Sequence, residues 1–110
     1  MTWLMRDGDV LAALEDPRKG WQRTLQGALL LPRPVVVHTL LEAVALDVAW
    51  CRPADLGTEH PGFQVRRISA LAPRRLARPH LRPGALLVAP IGAFERWRLQ
   101  LGDCLEVRGG

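Results

Sequence analysis

The longest apolar run, Pro34–Cys51 (PVVVHTLLEAVALDVAWC), constrains this chain most, because four polar side chains sit inside it. Buried polar groups are destabilising unless they are hydrogen-bonded, so His38, Thr39, Glu42 and Asp47 each need a structural or a chemical reason. Two local readings compete for the run. Thr39-Leu40-Leu41-Glu42 has the form of a capping box, and Leu40, Leu41, Val44 and Val48 would then share one face of a helix. Against a helix, Val35-Val36-Val37 is β-branched, and Leu46, Val48 and Trp50 alternate with Asp47, Ala49 and Cys51. Periodicity leaves both readings open.

The flanking segments are clearer. Trp3–Met5 and Val10–Leu14 are apolar runs joined by Arg6-Asp7-Gly8-Asp9, and an Asp-Gly pair in that setting predicts a β-hairpin. Glu15–Gly27 fits a short amphipathic helix over 17–25, with Trp21 and Leu25 at i, i+4 and Gly27 closing it. Ala28–Leu31 reads as a short strand ending at Pro32-Arg33-Pro34, where the prolines forbid a continuous central strand. Arg52–Gly62 is turn-like. In Phe63–Leu71, Phe63, Val65 and Ile68 alternate with polar residues but slip out of phase at Arg66-Arg67, which predicts a bulged strand. Ala72–Gly84 reads as irregular connection over the surface. Ala85–Val88 reads as a strand, and Phe94, Trp97 and Leu101 recur at helical spacing, predicting a helix over 93–100 capped by Gly102. Asp103–Val107 reads as the last strand.

With 110 residues, 48% hydrophobic and 24% charged, the chain has the composition of one globular domain over 1–110 rather than of a disordered segment. No apolar stretch approaches the roughly 20 residues of a membrane-spanning helix. The opening MTWLMRDGDV lacks a basic segment followed by an apolar one, so it is not read as a secretory signal, and a cytoplasmic location is the expectation. Cys51 and Cys104 then read as small hydrophobes in a reducing compartment. Charge is uneven: residues 1–60 carry a net −2 and residues 61–110 a net +6. All but one of the 15 basic side chains are arginines, and the high pI permits an anionic partner without demanding one.

Candidate chemistry centres on His38 and Asp47. On adjacent antiparallel strands they could hydrogen-bond, and a histidine held by a carboxylate is the arrangement used by general bases and metal ligands. The alternative is that His38 donates to a backbone carbonyl and Asp47 caps a turn. His38, Cys51, His60, His80 and Cys104 contain no pair at the spacing of structural zinc sites, so neither metal nor cofactor is expected. Ser69, the one serine, lacks a glycine elbow, whereas Cys51 would approach His38 if those strands pair. Arg66, Arg67, Arg74, Arg75, Arg78 and Arg82 lie in an acid-free stretch from Pro61 to Phe94. Nucleic-acid binding would want exposed aromatics among them, but Phe63 and Phe94 read as core. Trp21, Trp50 and Trp97 also read as core rather than as a ligand cage.

The segments Trp3–Gly8, Val10–Glu15, Gly27–Pro32, Val37-His38-Thr39, Leu46-Asp47-Val48-Ala49, Ala85–Pro90, Gly92–Trp97 and Leu101-Gly102-Asp103 resemble, in order and spacing, the DUF192 (UPF0127) family of small prokaryotic domains. That resemblance covers nearly the whole chain and implies a compact, mainly antiparallel β domain with short helices. It therefore favours strand–turn–strand over 34–51. This chain departs from the family at Leu40–Ala45, where Glu42 and Ala43 replace an expected methionine and arginine and the usual proline is missing. The segment before Gly27 is also shortened. The family has no agreed biochemical activity, so a fold and candidate positions transfer and a reaction does not.

Together these readings give a mainly β (α+β) domain, an antiparallel sheet or open barrel with short helices over 17–25 and 93–100. The expected function is a non-enzymatic module binding a small molecule or a protein near the 38–47 strand pair, through His38, Thr39 and Asp47 with Arg74 and Arg75 at the rim. Nucleic acid is not the expected partner. Two rivals are a small hydrolase using His38 and Asp47, and anion or nucleic-acid binding through Arg66–Arg82.

Overall fold

The computed structural model describes residues 1–15, 26–32, 37–38, 45–71, 76–77 and 84–109. Strands β1 (Thr2–Arg6) and β2 (Asp9–Leu14) form the predicted hairpin. Asp7 and Gly8 take φ of 52° and 83°, the two positive values that a two-residue turn of this twist requires. Next come β3 (Leu29–Pro32), β4 (Val37–His38), β5 (Leu46–Ala54), β6 (Gly62–Leu71), β7 (Leu76–Ala77), β8 (Ala85–Pro90), the single-turn helix α1 (Ala93–Arg96) and β9 (Cys104–Gly109). The protein is mostly β with very little helix.

Seven strands pair antiparallel in the order β2-β1-β9-β6-β5-β8-β3, and β4 and β7 form a separate two-stranded sheet. The large sheet curls until its outer strands nearly meet. Leu14 forms a parallel bridge with Ala28, where Glu15 N–H donates to the Ala28 carbonyl (2.8 Å) and Ala28 N–H to the Ala13 carbonyl (2.9 Å). The Glu15 carboxylate staples this corner by accepting from Gln26 N–H (2.9 Å) and Gly27 N–H (2.5 Å). Gly27 is required at the corner, since a Cβ there would lie 2.3 Å from the Ala13 carbonyl oxygen.

The inside of the curl holds Leu4, Ala49, Cys51, Val65, Leu87, Phe94 and Leu105. The opposite face of β3, β5 and β8 is buried too, through Leu29, Leu31, Leu46, Val48, Leu86 and Val88, with Trp50 packed at its edge. Strands buried on both faces read as continuous apolar runs, which is why periodicity could not assign Leu46–Cys51.

The bulge predicted in β6 is present. Arg67 lies opposite Trp50 and Val65 opposite Cys51, leaving Arg66 as the extra residue. It restores the phase, so Phe63, Val65 and Ile68 all pack on the inner cluster while Arg67 lies on the other face.

Four sequence expectations are corrected. First, β4 and β5 do not pair. Both edges of β5 are occupied by β6 and β8, so β4 pairs with β7 instead, and no 38–47 strand pair exists. Second, the helix over 93–100 is one turn, Ala93–Arg96, because Arg98 adopts a left-handed φ of 53° and breaks the helical path. Leu101 is consequently 65% exposed, and Gly102 (φ 90°) serves the Gln100–Asp103 turn, closed by Asp103 N–H to the Gln100 carbonyl (3.1 Å), rather than a helix cap. Third, Arg52–Ala54 belong to β5, Pro53 being tolerated because pairing with β8 stops at Cys51. Fourth, Ala72–Gly84 contains the short strand β7. The helix expected over 17–25 and the turn at 40–44 lie outside the described residues.

Candidate functional site

Asp47 is the second residue of β5 and the one buried charged side chain among the described residues, 8% exposed. Its strand neighbour across the sheet is Ala89 of β8, so the chain leaving β8 at Pro90 folds back above it. One carboxylate oxygen, Oδ2, accepts from Gly92 N–H (3.0 Å) and Phe94 N–H (3.1 Å). Gly92 supplies the positive φ of 90° that aims both amides at the carboxylate. Asp47 thus fixes the turn that drops Phe94 into the core, the turn-capping role of the two read from sequence. No described buried side-chain polar atom is left without a hydrogen bond.

His38 lies on β4, where its backbone is opposite Leu76 of β7, so it belongs to a different sheet from Asp47. Thr39, Arg74 and Arg75, and with them Arg78, Arg82 and His80, lie outside the described residues. Cys51 is 5% exposed, its thiol facing the Ala49 carbonyl at 3.8 Å, and burial pushes its pKa up to about 12. A thiol held protonated is a packing group rather than a nucleophile. Cys104 is partly exposed, and neither cysteine forms a disulfide. The described residues contain no group of three or more metal-ligating side chains. None of the described helices is long and apolar enough to cross a membrane.

Sequence reasoning missed a different constellation. Trp50 is only half-buried, and the Arg67 guanidinium lies over its ring, 5.3 Å from the centroid. Two residues further along β5, exposed Arg52 donates through Nε to Gln64 Oε1 (3.1 Å), its cross-strand neighbour. Arg66, at the bulge, is exposed and makes no hydrogen bond or ion pair with a described residue. The phase slip at Arg66-Arg67 was the available signal. Placing Arg67 on Trp50 also needed the β5–β6 register.

Comparison with protein-family models, curated proteins and solved structures finds no match for this chain.

Proposed function

We propose that this chain is a non-enzymatic binding domain of the cytoplasm, built on a DUF192-like barrel, that recognises a partner rather than transforming a substrate. The observation that carries this reading is the commitment of the Asp47 carboxylate to two backbone N–H groups. A hydrolase would need that carboxylate to orient His38, yet both edges of β5 are taken by other strands and the Cys51 thiol is protonated. Two contacts join segments on which the family resemblance was drawn. Asp47 bonds the Gly92–Phe94 turn, and Arg6 of the opening hairpin pairs with Asp103 of the Gly-Asp motif (3.0 Å).

The test is a thermal-shift screen of metabolites on the wild type and on Asp47→Asn, with recovered compounds analysed by mass spectrometry. Stabilising compounds should be recovered unchanged and should raise the midpoint of both proteins by the same amount. A compound converted by the wild type and left intact by Asp47→Asn would overturn the reading.

A further inference from the structure

We propose that the exposed arginine-bearing end of the β5–β6 pair, beyond the buried Leu46 and Val48, is a docking surface for single-stranded nucleic acid, with Arg52, Arg66 and Arg67 taking phosphates and the exposed part of Trp50 taking a base. This deepens the binding-domain reading, on which it rests. It also departs from the partner expected from sequence, because the objection raised there was the lack of an aromatic group beside the arginines. Trp50 packs against the buried Leu46–Val48 cluster, as its core reading expects, and also keeps part of its surface exposed with Arg67 over its ring.

Three features of the face fit this ligand. The first is charge. Asp47 is the one acidic residue on either strand, and it is turned to the Gly92–Phe94 amides. Glu106, which begins the neighbouring strand's pairing opposite Gly62, is held by Arg108, and Asp55 in the following loop accepts from Gly57 N–H. The three arginines therefore present cations that no described carboxylate neutralises. The second feature is preorganisation. Arg67 rests over the Trp50 ring and Arg52 is held by Gln64, so each loses less side-chain freedom on meeting a phosphate than a free arginine would. The third is layout. Trp50 and Arg52 point to the same side of β5, about 7 Å apart at the rise of a strand, giving base and phosphate separate contact points. Aromatic stacking combined with a basic track is how single strands are bound without sequence preference.

The experiment is fluorescence anisotropy of a labelled oligothymidylate of about twelve nucleotides, within the footprint range of small single-strand binders, titrated with the whole chain from about 50 to 200 mM salt. With three arginines on phosphates, log K should fall with log salt at a slope of about −2, since a single strand gives roughly −0.7 per phosphate neutralised. Arg66→Ala, which removes no described contact, should flatten that slope by about 0.7. Trp50→Leu keeps apolar packing and removes the ring, and it should weaken binding about tenfold. A duplex of equal length should bind more weakly. Absence of binding at the lowest salt overturns the proposal, and so does binding whose slope is untouched by Arg66→Ala, or duplex binding as tight as single-strand binding. Intact oligonucleotide recovered after binding supports both readings. Cleaved oligonucleotide would overturn the non-enzymatic reading and leave the docking surface standing.

Discussion

Arg6 and Asp103 lock the first hairpin to the turn before the last strand. Arg6 Nη1 lies 3.0 Å from Asp103 Oδ2 and Nη2 donates to the Trp97 carbonyl at 2.6 Å, while the same carboxylate oxygen accepts from Gln100 N–H at 2.9 Å. Both side chains are about three-quarters buried, 24% and 25% exposed, so the pair is less screened than an open surface ion pair. Arg6→Ala should lower stability by about 1–2 kcal/mol, read as a denaturant midpoint. Arg6→Lys should recover only part of this, because a lysine cannot reach the carboxylate and the carbonyl together. Full recovery by lysine would show that charge alone matters.

Asp47→Ala leaves two N–H groups of the 92–94 turn without their acceptor and should cost about 2–3 kcal/mol. Asp47→Asn keeps an oxygen in place and should cost about 1 kcal/mol. Urea unfolding of the two variants measures the difference, and equal losses would mean that the carboxylate's charge, not its acceptor geometry, holds the turn.

Cys51 gives the fold a pH dependence of definite sign. Its pKa is raised from 9.0 to about 12 by burial, so in the unfolded chain the thiol ionises first. The unfolded state then binds fewer protons, and stability must fall as pH rises. The stabilisation is complete below pH 9 and declines between 9 and 12, with a limiting slope of about 1.4 kcal/mol per pH unit from this one group. Cys51→Ala should remove that slope in alkaline unfolding curves. In the native protein at neutral pH, iodoacetamide should modify Cys104 and spare Cys51, which peptide mass spectrometry resolves.

Gly27→Ala puts a methyl group where the Ala13 carbonyl oxygen already lies and should cost about 3 kcal/mol. Glu15→Ala removes the staple and should cost about 1–2 kcal/mol. Hydrogen exchange localises both effects. The amides of Glu15 and Ala28 should lose protection before those of β5 and β8 do, and uniform loss across the sheet would contradict a local closure point.

What could be read in the sequence follows how local its cause is. The Asp7-Gly8 turn and the Arg66 bulge were legible, because turn chemistry and a phase slip are written in neighbouring residues. The antiparallel β class was expected from strand patterns and family resemblance together. The pairing of β5 was not legible, since burial on both faces erases alternation and its partners are chosen across the whole chain. Helical spacing at Phe94, Trp97 and Leu101 overextended α1, since nothing in that pattern registers the left-handed Arg98. Asp47 stood out as a polar residue in an apolar run, but its partners lie 45 and 47 residues away. Trp50 packs on the core as its apolar setting implies, and only the register shows Arg67 across from it.

Strand β1 pairs on one side with β2, a few residues away, and on the other with β9, with Thr2 opposite Gly109. The β1–β2 hairpin therefore waits, one edge bare, until β9 has been made. Loop closure over that span is slow compared with hairpin formation. During the wait β1 offers an unpaired edge to other nascent chains, and refolding should be limited by arrival of the last strand rather than by the hairpin. Neighbours in the sheet are thus made far apart in time, with β1 and β9 side by side though seven strands separate them along the chain.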